Sequence, residues 1–353
     1  MISIFIWIGS LAFGLVIMYI KKKNKQIESG FSTNFITTGL ALTVTSFGTF
    51  IDKVFGLLSN KPVTNNYVQL TTGVILISIG VWMQSYIKNK LSILNLLGVK
   101  ERRIEEHRKD VNLNQFEFKE REIDLSVYAK TMNQERYDEA TELIKIKMES
   151  FYAENKEVKK GYTGTAPLPL TMFAGHCDKG TPTTDFFEYY KFNRKYMKLG
   201  ISKKRFLSSK KEYSKLKLKQ PLNTIRLEDA EEVVLGVSVT MEIKPVQVQQ
   251  FNAPFVELSI ETPIHNAIMY QDQLQEYVKI IFDMIMNLGN QPKLKKIHLL
   301  LSSQSCLAFE LGKVLNTETY MKEVINYHYV NDPNPRYAWG ISFNRQGTTF
   351  IEC

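Results

Sequence analysis

Within the first 90 residues, three stretches of 19 to 21 residues carry no charge: Ile2–Ile20, Phe31–Ile51 and Tyr67–Ile87. A helix rising ~1.5 Å per residue crosses a hydrocarbon core of ~30 Å in about 20 residues. Each stretch is long enough, so the sequence predicts an α-helical transmembrane region of three spans over residues 1–90. Lysines close the stretches at Lys21, Lys22, Lys23 and Lys25, at Lys53, and at Lys88 and Lys90. A cleaved leader would have its basic residues before the apolar run. Here they come after it, which favours a retained span.

Charge also sets orientation, because lysines beside a span stay on the cytoplasmic side. Residues 1–90 hold eight Lys against two acids, whereas residues 91–353 hold 37 basic and 34 acidic residues. The predicted topology is multi-pass in a bacterial inner membrane, with the N-terminus outside and the C-terminal domain in the cytoplasm. Basic excess placed this way points to membrane topology more than to nucleic acid, and no direct DNA binding is expected. Cys177, Cys306 and Cys353 form no CxxC pair, in keeping with a reducing compartment.

Thr38, Thr45, Thr49 and Asp52 recur at i, i+7, i+11 and i+14 in the second span, on one helix face. They are the candidate membrane-lining residues of a water path in an assembly. The alternative is that such hydroxyls bond to their own backbone or a neighbouring helix. Residues 91–110 combine an apolar start with a dense charge mixture and read as a linker.

Residues 111–353 alternate strand and helix patterns in the order βαβ, a basic insert, then ββαβαββ. Ile297–Leu301 is a short apolar run that fits a buried strand of a parallel sheet. Ser302, Ser303, Gln304 and Ser305 follow, and then Leu307, Ala308, Leu311 and Leu315 at helical spacing. A turn between strand end and helix start is where open α/β sheets bind ligands, and free N–H groups there favour anions. The bland alternative is that the serines merely cap a helix. Gly161–Gly175 reads as a loop followed by a short strand. Asp185–Tyr196 mixes aromatics with Arg194, which suits base stacking or an ordinary core edge. The basic run Lys203–Lys219 suits polyanions, lipid headgroups or a solvated face. No nucleotide-binding, metalloprotease or nucleophile-elbow motif is present, and the five histidines have no metal-ligand spacing. No catalytic or metal residues are assigned, and no cofactor.

The run IHLLLSSQSCLAFELGK, preceded by the helix pattern Tyr270–Asn287, resembles the C-terminal signature of SAVED domains. GYTGTAPLPL, followed by Ala174 and Gly175, resembles the motif of their N-terminal half. The resemblance covers about residues 110–353. It implies a SAVED domain of two fused CARF-like, Rossmann-like units that binds a cyclic oligonucleotide, a di- or trinucleotide, in antiphage CBASS defence. Tyr162, Thr163, Gly164, Ser302, Ser303, Gln304 and Ser305 match its ligand-facing motifs, and Arg194 is added on chemistry alone. Gln304 departs from a proline common in the family. Spans fused ahead of such a domain imply an effector that oligomerises on ligand binding and disrupts the membrane. Its ligand would come from a separate cyclic-oligonucleotide synthase. A membrane-anchored nucleotide hydrolase is the alternative.

Overall fold

The computed structural model describes residues 16, 19, 27–58, 67–99, 102–113, 118–128, 132–153, 158–178, 185–190, 192–202, 212–315, 322–331 and 335–353. They divide into two compact units, residues 1–91 with 153–159 and residues 92–152 with 160–353.

The first unit contains helices α1 (Ile27–Leu58) and α2 (Tyr67–Asn89). They pack through small residues. A Cβ on Gly73 would meet Thr43 Oγ1 at 2.6 Å and the Gly39 carbonyl at 2.8 Å, and one on Gly80 would meet the Ser32 carbonyl at 2.8 Å. Ser32, Thr45 and Ser46 are buried, while Leu40, Val44, Val74, Ile75, Val81 and Trp82 are exposed. The hydroxyls bond to backbone one turn earlier: Thr43 donates to Gly39 O at 2.8 Å and Ser46 to Leu42 O at 2.8 Å. Among the described residues one helix, Val68–Tyr86, rather than three is long and apolar enough to cross a membrane. The first expected span falls outside the described residues except for Val16 and Tyr19. The second lies within α1.

In the second unit, β1 (Leu91–Leu97), β2 (Phe118–Asp124), β3 (Lys159–Gly164), β4 (Asp185–Tyr190) and β5 (Lys195–Lys198) form a sheet in the order β2-β1-β3-β4-β5. The 91–110 linker expectation is corrected here. All seven residues of β1 are buried, because the strand lies inside the sheet and is covered on both faces. Helices α3 (Gln134–Tyr152) and α4 (Leu168–His176) belong to this half. The reading of Gly161–Gly175 as loop then strand is reversed: strand comes first, then helix. Pro167 caps α4 and Pro169 sits in its first turn, where no backbone N–H is needed.

The second half holds β6 (Lys217–Leu218), β7 (Glu232–Ser238), β8 (Phe255–Ser259), β9 (Lys296–Ser302), β10 (Glu323–Tyr329), β11 (Tyr337–Asn344) and β12 (Gly347–Glu352), with helices α5 (Gln271–Gly289) and α6 (Ser305–Leu315). The order is β12-β11-β10-β9-β7-β8-β6. Strands β8, β7, β9 and β10 run parallel. One core joins both halves. At its centre α4 crosses α6 with a glycine from each: a Cβ on Gly175 would collide with the Phe309 carbonyl, and one on Gly312 with the Met172 carbonyl. Tyr162 stacks on Phe309 beside this crossing, with centroids 4.2 Å apart.

Candidate ligand cavity

The chain leaves β7 for β8 on one side, then returns to place β9 on the other side of β7. Strand order therefore reverses between β7 and β9. In open α/β sheets the crevice beyond the carboxyl ends at such a reversal is the usual ligand position. Ser238 and Ser302 face each other there as the last residues of the two strands. A cavity of about 260 Å³ opens over this point, lined by the segment after β7, the end of β9, and Leu168 at the start of α4.

Hydrogen bonds stitch its floor. Ser302 Oγ accepts the Met241 N–H at 2.9 Å and lies 3.1 Å from Thr240 Oγ1. The Ser302 carbonyl accepts the N–H groups of Val239 and Thr240 at 2.9 and 2.8 Å. One wall is aromatic, formed by Tyr329 and Tyr337 with rings 5.5 Å apart and nearly perpendicular. The Tyr329 hydroxyl accepts from Gln247 Nε2 at 3.3 Å and from Arg336 Nη1 at 3.4 Å, which fixes its plane. Burial keeps the Tyr337 phenol protonated by raising its pKa. Glu242 supplies a carboxylate at the rim, bonded to Lys219 at 2.5 Å. That lysine holds the carboxyl below its ordinary range. Apolar faces with a few oriented polar groups suit a planar, mostly uncharged ligand part.

Of the eight sequence-derived ligand residues, Ser302 and Ser303 line this cavity. Gln304 is buried and spent within the protein: its Oε1 accepts the Ile268 N–H at 2.6 Å, and its Nε2 donates to Ile268 O at 3.0 Å. Ser305 is buried too. Its Oγ donates to Glu188 Oε1 at 3.1 Å, and the Cys306 N–H donates to the same oxygen at 2.9 Å. The start of α6, expected to offer free N–H groups to a phosphate, instead holds a carboxylate from β4. Burial raises the Glu188 pKa. Tyr162 is in the core, its hydroxyl crowded against Gly164, and Thr163 is also buried. Arg194 is exposed at the β4–β5 turn with φ of 50°.

In the first unit, Thr45 does not line an open face. It is buried, bonds to Ala41 O at 2.9 Å and accepts from Gln69 Nε2 on α2. Thr38 Oγ1 donates to Asn34 Oδ1 at 3.3 Å. Thr49 and Asp52 lie on α1, and their side chains fall outside the described residues.

Thr240, Met241, Gln247, Tyr329 and Tyr337 were not singled out from sequence. The run Glu232–Glu242 reads as a strand, but strand order alone reveals that its end meets Ser302. Among the described residues no group of three or more His, Cys, Asp or Glu could hold a metal ion.

The family model for the "SMODS-associated and fused to various effectors sensor domain", SAVED, matches residues 144–343, more than half of the chain. No curated protein matches the chain. The Acinetobacter baumannii Cap4 SAVED/CARF-domain containing receptor with the cyclic trinucleotide 2'3'3'-cAAA aligns at 13% identity and TM-score 0.48, over 74% of this chain and 54% of that one. The same receptor with 3'3'3'-cAAA aligns at 12% and 0.47, over 86% and 64%. The Moraxella osloensis Cap4 receptor aligns at 15% and 0.45, over 87% and 61%. This chain thus spans less than two thirds of the length of each.

Proposed function

This chain belongs to the SAVED family, and from that premise we propose that it is a membrane-bound sensor of a cyclic oligonucleotide, acting as an effector in CBASS antiphage defence. The cavity at the β7/β9 reversal carries the reading. It has the position expected of a ligand site in this sheet, an aromatic wall for a nucleobase, and hydroxyl and amide groups for its edge. Arg336, whose Nη1 reaches the Tyr329 hydroxyl, is the candidate partner for a phosphate, and Ser302 and Ser303 form the part of the wall between the two strands. The role is binding, with no catalytic residue assigned.

The helix hairpin supports a membrane location. Gly39, Gly73 and Gly80 lie at its helix contact with Ser32, Thr45 and Ser46 buried, while Leu40, Val44, Val74, Ile75, Val81 and Trp82 are exposed, an arrangement that suits lipid. Trp82 stacks on Tyr86, and Lys90 lies 5.1 Å from the Tyr86 ring, as at an interfacial end. Val68–Tyr86 is the segment proposed to anchor the chain in the inner membrane, with the sensor in the cytoplasm. Ligand favours a self-associating conformation only as far as it binds that form more tightly. The assembled spans then disrupt the bilayer and arrest or kill the cell.

Titration of the full-length protein in detergent with a panel of cyclic di- and trinucleotides tests this. At least one ring should bind. Ser303→Arg should weaken it by about 100-fold, or about 2.7 kcal/mol. Binding by none, or unchanged binding by the variant, sinks the assignment.

A further inference from the structure

On the other side of the Ser302–Ser305 turn lies a larger cavity of about 430 Å³. One wall is the β4–β5 hairpin, through Tyr190, Asn193 and Met197. The other is the segment after the carboxyl end of β8, through Ile264, His265 and Asn266. Among the described residues, none that line it is Asp, Glu, Lys or Arg. Amide, imidazole and hydroxyl groups alternate with thioether and aromatic faces. That chemistry matches an uncharged planar ring with polar edges and does not match a phosphate.

The walls are fixed in place. Gly200 N–H donates to Met269 O at 2.9 Å, and Gln271 N–H donates to Gly200 O at 2.9 Å, which joins the two at their base. Asn266 holds φ of 58° and donates from Nδ2 to Tyr189 O at 3.4 Å, reaching from one wall to the other. The turn then anchors both. Gln304 clamps Ile268 on the loop, and Ser305 with the Cys306 N–H clamps Glu188 on the hairpin strand. Four consecutive residues therefore floor one cavity with Ser302 and Ser303 and brace the other with Gln304 and Ser305.

Its rim carries a second signal. Phe192 is 70% exposed at the hairpin tip and meets His265 edge-on at 5.8 Å, and Ile264 is exposed beside it. An exposed aromatic at the mouth of a neutral pocket is a stacking platform. Arg194 and Lys195, both exposed, follow Asn193 on the same turn.

We propose that this second cavity binds a nucleobase of a nucleotide ligand, leaving its phosphate outside near Arg194 and Lys195. The proposal rests on the sensor reading above and adds a site to it. It also gives the sequence-derived Arg194 a place, at the second cavity and away from the first.

Photolabelling of the full-length protein in detergent with azido derivatives of the four nucleoside monophosphates tests it, each with its unlabelled parent as competitor. Labelling that the competitor suppresses is expected in Ile260–Met269 with at least one probe, and at Met241 or Tyr329 in the first cavity. Asn193→Trp, at an exposed turn position, should reduce the Ile260–Met269 label at least 10-fold and leave the Tyr329 label intact. Ser303→Arg should do the reverse. Label in the first cavity alone overturns the second site and spares the sensor reading. Label in the second alone supports this site and overturns the placement of ligand at the β7/β9 reversal. Label in neither overturns both.

Discussion

Two helix pairs in this chain are clamped by glycine, and they solve opposite problems. In the sensor, Gly175 and Gly312 let α4 and α6 approach until backbone meets backbone, and large side chains such as Phe173, Leu170, Phe309 and Leu307 are buried around them. In the hairpin, Gly39, Gly73 and Gly80 do the same for α1 and α2, yet large side chains such as Leu40, Val44, Val74, Ile75, Val81 and Trp82 are exposed. Water drives apolar groups inward in the first case. The lipid setting proposed for the hairpin would offer no such drive, which leaves close backbone packing and satisfied hydroxyls to hold the second.

The comparison breaks most visibly at the sensor crossing. Gly175→Leu places a side chain on the Phe309 carbonyl and should cost about 3 kcal/mol, read as a fall in the thermal midpoint of the sensor. An unchanged midpoint would mean the crossing is looser than described.

Acid separates the pairs next. Burial lowers the pKa of His176, His298 and His328, the last to about 4 from 6.5. The folded form stays neutral while the unfolded chain takes up protons, so stability is present above pH 6.5 and is lost as pH falls toward 4. For His328, which packs on Trp339, the loss is about 2 kcal/mol after allowing for partial exposure. His328→Phe should flatten the sensor's urea midpoint between pH 6.5 and 4.5. All five histidines lie beyond residue 90, so none lies in α1 or α2. The same steep acid loss in the variant would clear His328.

Smaller effects sharpen the hairpin side. Gly73→Ile should push α1 from α2 at a cost of about 1–2 kcal/mol, seen as reduced cysteine cross-linking across the pair, with the sensor midpoint unmoved. Thr45→Val removes one hydroxyl facing Gln69 and should cost about 0.6 kcal/mol. A large gain or loss of vesicle leakage from Thr45→Val would restore the polar stripe as a conduit.

Local pattern carried the elements whose chemistry is self-contained. Gln134–Tyr152 and Ser305–Leu315 are helices on the spacing of Ile144, Met148, Leu307 and Leu311, and Ile297–Leu301 is a buried strand because nothing in it needs water. His298, inside that strand, sits 2.8 Å from the Tyr327 hydroxyl and 3.0 Å from Glu232. Pattern failed where context inverted the meaning of a residue. Pro167 and Pro169 argue against a strand, but equally allow a helix to begin. Leu91–Leu97 follows the apolar helix α2 and precedes a charged run, so its place inside a sheet is invisible locally. In the candidate site, the sequence singled out Ser302 and Ser303, but not Met241, Tyr329 or Tyr337, which arrive from strands far away in the chain.

The amino-acid order by itself determined what is governed by neighbours a few residues apart: charge-free stretches, helix and strand periods, and the strand–turn–helix of β9 and α6. Tertiary structure alone decided which polar groups remain for a ligand. Gln304 and Ser305 have the same chemistry in the sequence as their neighbours. Only the folded chain brings Ile268 and Glu188 against them, and a hydrogen bond made inside the protein is one that a bound molecule must compete with.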